Sequence, residues 1–96
     1  MRLTWSEKAE ADLDEVWRFT RRRWGVSQAD AYLGGIKAAL QDPIALRRQA
    51  KPIGHVKEEL YRVRVIRHFV YFRFTEDAVN VSRVLHDSMD ETLHLP

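Results

Sequence analysis

Two histidines in the second half of the chain are the side chains best suited to acid-base chemistry. His68 and His86 lie at the ends of predicted strands, near several arginines and Tyr71. Cleavage of RNA through its 2′-hydroxyl needs a base, an acid and cations that stabilise the phosphorane, and a metal-independent ribonuclease could use such a set. Polar residues at strand ends are common without catalysis, so spacing alone favours the simpler interpretation, in which both histidines are structural.

A group of arginines on the predicted strands forms the second set of candidates: Arg62, Arg64, Arg73 and Arg83. Each guanidinium group could hold a carboxylate through two parallel hydrogen bonds. Tyr71 could add packing area among them. We therefore predict a partner-binding face here rather than an active site. The alternative is a set of surface salt bridges, each contributing under about 1 kcal/mol.

Several classes of chemistry have no signature in the sequence. The chain has no glycine-rich phosphate loop, no HExxH-type spacing and no cysteine. We therefore predict neither a cofactor nor a bound metal. The lack of cysteine fits a reducing cytoplasm, the N-terminus has no apolar core for export, and no stretch approaches the length of a membrane span. These features predict a cytoplasmic protein.

The small net charge conceals an uneven distribution. The formal charge is +2, yet residues 47–73 hold eight Lys/Arg against two Asp/Glu, whereas residues 74–96 hold one against five. Residues 1–46 hold seven of each sign. The basic middle predicts an acidic partner or another polyanion. The simpler alternative is a solvated basic face on a small protein.

Residues 60–86 are the centre of the predicted fold. Apolar and basic residues alternate with period two, and β-branched and aromatic residues are frequent, which is typical of a β-meander. The apolar phase holds Val63, Val65, Val70, Phe72 and Phe74. The other phase holds Arg62, Arg64, Tyr71 and Arg73. We predict a sheet that is apolar behind and cationic in front.

The first part of the chain is expected to cover the apolar face. Residues 2–5 alternate as a short edge strand. Ser6 is a predicted N-cap for an amphipathic helix, which Gly25 ends. The buried stripe of this helix is Ala9, Leu13, Val16, Trp17, Thr20 and Trp24, at helical spacing. We expect the tryptophans to lie in the core.

Three arginines, residues 21–23, close this first helix, where cations are favoured by the helix dipole. A nucleic-acid contact is the alternative, but we expect no exposed aromatic residue beside them. Ser27 is predicted to cap a second helix with the stripe Ala29, Tyr32, Leu33, Ile36 and Leu40. Gly34 and Gly35 each cost roughly 1 kcal/mol relative to alanine. Their small size predicts a close antiparallel packing of the two helices.

The remaining segments complete one domain, residues 1–96. Asp42 and Pro43 mark a break, and Pro43 is expected to start a short helical turn. Residues 49–59 have the composition of a loop, and turns are expected near residues 66–68 and at residues 76–77.

A last helical turn is expected after His86, capped by Asp87 or Ser88 and running toward Leu95. The whole order predicts an α+β two-layer domain, with an N-terminal strand, a helical hairpin, a three-stranded antiparallel meander and a short C-terminal helical tail.

Four short stretches carry a resemblance to a known family: SEKAEADLDEVW, RWG followed by QADAYL, HFVYFRF and, most specifically, RVLHDSMD near the C-terminus. With the order of elements, they make nearly the whole chain resemble the ParE branch of the RelE/ParE toxin superfamily. The resemblance adds His86, Met89 and Asp90 to the candidate antitoxin- or target-binding residues. His86 and Asp90 have the alternative role of fixing the tail.

The resemblance implies the toxin of a bacterial type II toxin-antitoxin system. A ParD-like antitoxin is expected to neutralise it by wrapping an acidic, partly disordered segment around it, in a hetero-oligomer. The implied target is DNA gyrase, whose cleaved DNA complex the toxin would stabilise by binding rather than by catalysis. No membrane association and no sequence-specific nucleic-acid binding are expected.

The runner-up is the sister branch, a RelE-like ribosome-dependent mRNA endoribonuclease. Those enzymes typically carry a basic run and a terminal tyrosine or histidine after the last strand, whereas residues 87–91 here are acidic or neutral. Acidic side chains would repel an RNA phosphate, although His94 is a possible substitute for the terminal residue.

One position departs from the pattern of the family. Many relatives have glycine at the position of Ile66, so the sequence does not predict the geometry of this turn.

The third candidate function, after the gyrase poison and the ribonuclease, is a structural or adaptor domain whose basic sheet binds an acidic peptide.

Overall fold

A computed structural model describes residues 2–95 of the chain. In chain order its elements are β1 (Arg2–Trp5), α1 (Glu7–Trp24), α2 (Val26–Ala39), α3 (Pro43–Gln49), β2 (Lys51–Pro52), β3 (Tyr61–Val65), β4 (His68–Phe74), β5 (Ala78–His86) and α4 (Glu91–His94). No helix within these residues is long and apolar enough to cross a lipid bilayer.

The strands form one five-stranded sheet in the order β1-β5-β4-β3-β2. The pairs β2-β3, β3-β4 and β4-β5 are antiparallel, as predicted for a meander, and β1 joins the edge of β5 in parallel. The two-residue strand β2 lies in the segment that was predicted to be a loop. A bulge at Tyr71/Phe72 shifts the β4-β5 register, so that Tyr71 lies opposite Arg83 and Phe72 opposite Val81.

The main core lies between the back of the sheet and the helices, as the alternating pattern predicts. It contains Ala9, Leu13 and Val16 of α1, Ile36 of α2, Leu40, Leu46 of α3, and the strand residues Val63, Val70, Phe72, Val79, Val81 and Val84. Helical and strand periodicities each place their apolar stripe on this one interface. The predicted two-layer α+β architecture is therefore confirmed.

Helix α1 begins and ends where the sequence predicts. The Ser6 hydroxyl accepts a hydrogen bond from the Ala9 N–H at 3.0 Å, and Gly25, with φ at +91°, donates its N–H to the Arg21 carbonyl. Gly25 is also the N-cap of α2, which makes no side-chain capping bond. The prediction that Ser27 caps this helix is therefore wrong, because α2 begins at Val26.

Two predictions about packing in the helical hairpin are wrong. Trp24 is 68% exposed rather than in the core, because it sits in the final turn of α1, beyond the end of the buried stripe. Gly34 and Gly35 have open space where a Cβ atom would be, so they mark no close approach of α1. The hairpin packs instead through larger apolar residues such as Val16 and Ile36.

Asp42 caps α3 through hydrogen bonds from the N–H groups of Ile44 and Ala45, which confirms the predicted break at Pro43. In the tail, Asp90 is the N-cap of α4 and accepts from the Thr92 N–H. The prediction that Asp87 or Ser88 caps this helix is wrong, because both residues lie in the turn after β5.

The front of the sheet holds a second, smaller core. Ile53, Leu60, Tyr71, Leu85 and Leu95 are all buried there, with Val56 and Phe69 packed around them. The segment 53–60 and the C-terminal tail thus cover part of the face that was predicted to be cationic. This covering sets the geometry of the candidate site.

Candidate functional site

The first pair of predicted site residues, Arg62 and Tyr71, lies beneath the tail. Arg62 Nη1 and the Tyr71 hydroxyl both donate to Glu91 Oε2, each at 2.8 Å. Tyr71 is 1% exposed, and its burial and its bond to Glu91 raise its pKa to about 12. The Arg62 guanidinium also stacks on Phe69, with its carbon 4.3 Å from the ring centre. A carboxylate of the chain itself therefore occupies the anion site that these two residues form.

Arg64 is bound to the start of the tail. Its Nη1 donates to Asp87 Oδ2 at 2.9 Å and to the Ile66 carbonyl at 3.1 Å. Arg67 approaches the same carboxylate oxygen at 3.4 Å. The hydrogen bond from Arg64 holds the pKa of Asp87 below its ordinary value. Arg64 remains half exposed, so it can contact a partner without releasing Asp87.

Arg83 links three parts of the molecule. Its Nε and Nη2 donate to the two carboxylate oxygens of Asp12 on α1, at 2.8 and 3.0 Å, and its Nη1 donates to the His94 carbonyl at 2.9 Å. Asp12 also accepts from the Val84 N–H at 2.9 Å, on the part of β5 that extends past β1. The bonds to Asp12 raise the pKa of Arg83. This arrangement attaches helix, sheet and tail to one another.

The front of the sheet carries arginines as predicted, but three of them form ion pairs within the chain, which was the alternative role given to them. Arg62, Arg64 and Arg83 all lie where the strand pattern places them, but Glu91, Asp87 and Asp12 are bound to them. Two of these carboxylates come from the acidic C-terminal segment. The charge imbalance along the sequence is thus partly neutralised within the fold. Arg73 differs, because among the described residues its Nη2 donates to the Glu58 carbonyl, at 3.3 Å, and not to a carboxylate.

The two candidate histidines lie together on the helix side of the sheet. His68 opposes His86 across β4 and β5, with ring centres 5.2 Å apart. The Tyr32 hydroxyl lies 2.6 Å from His68 Nδ1 and accepts from the Arg67 N–H at 3.3 Å. Burial and the neighbouring His86 lower the pKa of His68 to about 4. His68 is therefore neutral at pH 7, and the Tyr32 hydroxyl, which also donates to the Val65 carbonyl at 3.3 Å, lies within hydrogen-bonding distance of its Nδ1.

A groove runs past these histidines between α1 and the end of the sheet. It consists of two adjoining depressions of about 490 and 760 Å³, which share Phe19, His68 and His86. We call it the lateral groove; its other principal lining residues are Val16, Arg23, Trp24, Tyr32, Ile66, Arg67 and Met89. His86 and Met89, both candidates from the sequence, thus border one depression.

Sequence reasoning missed the aromatic residues of this groove. Phe19 is 53% exposed, and the Arg23 guanidinium carbon lies 5.6 Å from the centre of its ring. With Trp24, this places two exposed aromatic rings beside the three arginines, so the expectation of none there is wrong. The signal was present in the sequence, because Trp24 directly follows the arginines and directly precedes the glycine that ends the helix.

The candidate constellation for RNA cleavage does not come together. His68 and His86 face the lateral groove, whereas Tyr71 and Arg62 face the second core on the opposite side of the sheet. Asp90 lies in neither group and caps α4, and bonds from Thr92 hold its pKa below the ordinary value. Residues 2–95 contain no group of three or more His, Asp or Glu side chains arranged to hold a metal ion.

Comparison with known proteins identifies the family. A family model described as "ParE toxin of type II toxin-antitoxin system, parDE" matches residues 3–91. The chain belongs to the ParE toxin family.

Curated ParE relatives align over most of the chain. It is 32% identical over 90 residues to Toxin ParE1 of Caulobacter vibrioides, covering 94% of this chain and 93% of the relative. It is 34% identical over 86 residues to Toxin ParE1 of Mycobacterium tuberculosis, covering 88% of each.

Solved structures share the fold. A chain of the chromosomal ParDE system from P. aeruginosa superposes with a TM-score of 0.72 at 18% identity, covering 90% of this chain and 95% of that one. YafQ from E. coli superposes with a TM-score of 0.55 at 11% identity, covering 92% and 96%. The predicted RelE/ParE-like fold is confirmed, and this ParE-family protein is the toxin of a type II toxin-antitoxin system.

Proposed function

We propose that this ParE-family toxin poisons DNA gyrase by stabilising the cleaved DNA complex, and that it does so by binding and not as an enzyme. The supporting observation is the family match across residues 3–91. A binding protein shifts the balance between cleaved and religated DNA only if it has a higher affinity for the cleaved state. The site is compatible with this mode of action, because Arg62, Arg64 and Arg83 form ion pairs with carboxylates of the chain.

The toxin's partner is a ParD-like antitoxin in this proposal, and it binds through a mixture of carboxylates and apolar side chains. Among the candidates from the sequence, Arg64, Arg73, His86 and Met89 are accessible enough to contact it directly. Arg62, Tyr71, Arg83 and Asp90 contribute by holding the tail in place, since their bonds go to Glu91, to the His94 carbonyl and to α4.

A titration with the antitoxin encoded beside the toxin gene tests this assignment. Arg73→Glu is expected to weaken binding far more than Arg22→Glu, because Arg22 lies on the exposed surface of α1, outside the groove and the front face. Both substitutions reverse one exposed or half-exposed charge, so the pair controls for net charge. Equal losses of affinity would contradict the role given to Arg73.

A ribosome-dependent ribonuclease is the second candidate, favoured by one observation. His68, His86 and Tyr32 form a connected cluster on the wall of a groove, and neutral His68 could act as a base. Arg67 lines the same depression and could stabilise a developing phosphorane, whereas Tyr71 lies on the opposite side of the sheet from this cluster.

Controlled expression without antitoxin separates the three classes of function. Gyrase poisoning predicts filamentous cells and an induced DNA-damage response. Ribonuclease activity predicts immediate arrest of translation with no early damage response. A structural or adaptor domain predicts normal growth, which would contradict the proposal if the protein accumulates in folded form.

A further inference from the structure

The junction between α1 and α2 is exposed along its whole length. Every residue from 21 to 28 (RRRWGVSQ) is exposed to solvent, and we call this segment the elbow. It holds three arginines and no Asp or Glu. Successive residues of an α-helix are about 100° apart, so these guanidinium groups project around roughly 200° of the last turn of α1. The elbow therefore presents positive charge over more than half of the helix circumference.

The rest of the fold does not neutralise this charge. Within residues 2–95, Arg21, Arg22 and Arg23 form no ion pair with a carboxylate, whereas three arginines of the sheet do. The depression beside the elbow, which Trp24 borders, has no Asp or Glu in its lining. A surface that concentrates charge of one sign attracts a polyanion.

Aromatic rings hold two of the three arginines in position. The guanidinium carbon of Arg21 lies 5.5 Å from the centre of the Trp17 ring, and that of Arg23 lies 5.6 Å from the centre of the Phe19 ring. Trp17 is itself fixed, because its Nε1 donates to Asp30 Oδ1 at 2.9 Å. A guanidinium group that stacks on a ring keeps its N–H groups available at its edge. Arg21 and Arg23 can therefore bind an anion with little further loss of side-chain freedom.

The aromatic ring of the elbow itself, that of Trp24, is open. Its side chain is 68% exposed, and no guanidinium group or aromatic ring of residues 2–95 stacks on it. Proteins that bind single-stranded nucleic acid combine cations for the phosphates with an aromatic ring on which a base stacks. The arginines were interpreted as structural because no exposed aromatic residue was expected beside them, and Trp24 removes that reason.

Other polyanions fit the elbow less completely. An acidic peptide would bind the arginines, but Trp24 and Val26 are the large apolar side chains that the elbow exposes, which is little surface for the apolar anchors of a peptide. A DNA duplex keeps its bases stacked on one another, so it could use Trp24 only at the cost of unstacking a base step. A single strand satisfies the arginines and the ring together.

We propose that the elbow binds a single strand of DNA without regard to its sequence. Phosphates of neighbouring nucleotides bind Arg21, Arg22 and Arg23, and one base stacks on Trp24. The choice of DNA over RNA rests on the proposed function, in which the toxin acts on cleaved DNA, although the contact itself needs no gyrase. The elbow thus gives the toxin a direct contact with DNA in addition to its contact with the enzyme.

Salt-dependent binding tests the arginines. Purified toxin, free of antitoxin, is titrated into a fluorescent oligothymidylate of about 20 nucleotides, and anisotropy is measured at several NaCl concentrations. Three phosphate contacts predict that log K falls against log salt with a slope of about −2, since each contributes about −0.7 on a single strand. Arg22→Gln should reduce the size of this slope by about 0.7 and weaken binding at low salt by roughly 5-fold.

Arg48→Gln is the matched control for this change. Arg48 is an exposed cation in the last turn of α3, so its substitution alters the net charge equally. It lies beyond the far end of the 14-residue helix α2, about 20 Å from the elbow along the helix axis. That separation exceeds the Debye length of about 10 Å at 0.1 M salt, so the control should bind within about 2-fold of the wild type.

Tryptophan fluorescence provides a second, independent readout. Stacking of a base on Trp24 should quench the emission of the wild-type toxin as the oligothymidylate binds. Trp24→Leu keeps an exposed apolar side chain and removes the ring, so the quenching should disappear and the affinity should fall by roughly 5- to 30-fold. Trp5 and Trp17 remain in the variant as partly buried internal references.

Several results would overturn the inference. Equal losses for Arg22→Gln and Arg48→Gln would do so, as would unchanged affinity in Trp24→Leu. Tighter binding of a duplex of the same length, or displacement of the strand by a polyglutamate peptide of equal charge, would assign the elbow to another occupant. Tighter binding of an oligouridylate of equal length would assign it to RNA.

None of these results bears on gyrase poisoning, which a DNA-cleavage assay with gyrase measures separately. Linear DNA in that assay without binding of the free strand would overturn the elbow assignment alone. Strand binding without linear DNA would overturn the proposed function and leave the contact with DNA in place.

Discussion

At the scale of single residues, the fold places most charged candidates in contact with charges of the chain itself. Arg62 and Tyr71 both donate hydrogen bonds to Glu91, and Arg83 and the Val84 N–H both donate to Asp12. These bonds are between partly buried groups, so loss of one member leaves the other without a partner in a place of low solvent access. Several side chains predicted to bind a partner thus also stabilise the fold.

His68 makes the unfolding free energy depend on pH. Its folded pKa of about 4 lies below its ordinary value of 6.5, so the unfolded chain binds the proton more readily. Stability is therefore greatest above pH 6.5 and falls as the pH drops from 6.5 to about 4, by roughly 2 to 3 kcal/mol. The groups that face His68 are Tyr32, His86, Arg67 and Asp87.

Urea unfolding at steps between pH 7 and pH 4 measures this dependence. His68→Gln keeps a neutral side chain that can hydrogen-bond Tyr32 in either direction and removes the titrating ring, so the stability of the variant should fall less over the same interval. Because both proteins contain the same carboxylates, the difference between the two curves reports on His68 together with its coupling to His86 and Asp87. Parallel curves would show that His68 does not titrate with a lowered pKa.

The turn before β4 has a left-handed backbone conformation at Ile66, the position where many relatives have glycine. This β-branched residue has φ at +55°, in the left-handed region that glycine occupies without strain. Ile66→Gly is expected to raise the unfolding free energy by about 1 kcal/mol, after the added entropy of the unfolded chain is subtracted.

Thermal and urea unfolding check this change, with Ile44→Gly as its control. Ile44 is equally exposed but lies in α3, where the same substitution should lower stability by about 0.5 kcal/mol. A loss of stability in both variants would contradict the strain assigned to Ile66.

At the scale of elements, the tail decides whether the front face is open. The sequence predicted β1, β3, β4 and β5 and the order of the helices, because these depend on local periodicity and on capping residues such as Ser6 and Asp42, but it missed the two-residue strand β2. It did not predict that Leu95 and Glu91 return to cover Tyr71, because this contact joins segments about 20 residues apart and leaves no local pattern. Trp24 was misplaced for a related reason, since helical spacing continues past the point where the sheet stops covering the helix.

Two leucines of the tail provide a matched test of this cover. Leu95 is 7% exposed in the second core, whereas Leu93, in the adjacent turn, is 79% exposed. Leu95→Ala should lower the unfolding free energy by about 1 to 2 kcal/mol and speed amide hydrogen exchange in residues 91–95 and in the strand around Tyr71. Leu93→Ala should change stability by less than about 0.5 kcal/mol. Similar exchange in both variants would show that the tail does not hold the front face closed.

At the scale of the whole molecule, the basic residues fall into two groups: those paired with the acidic C-terminal segment and those at the end of α1. The acidic C-terminal segment folds back on the basic strands, which accounts for much of the imbalance between residues 47–73 and 74–96. Within residues 2–95, the arginines at the end of α1 form no ion pair with a carboxylate, and they lie beside aromatic rings. The sequence thus predicted an acidic partner for reasons that the front face only partly justifies, and among the groove residues it singled out His68, His86 and Met89 but not the exposed aromatic rings.

The central claim is that this ParE-family toxin acts by stabilising cleaved DNA on gyrase. The most direct measurement incubates the purified toxin, free of antitoxin, with gyrase, ATP and supercoiled plasmid, and then traps covalent complexes with detergent and protease. We predict linear DNA that increases with toxin concentration and disappears when the ParD-like antitoxin is added. No linear DNA from a folded toxin preparation, with a known gyrase poison giving the product in parallel, would contradict the claim. Ribosome-dependent mRNA cleavage would then be the favoured function, and His68, His86 and His94 would be the next residues to substitute.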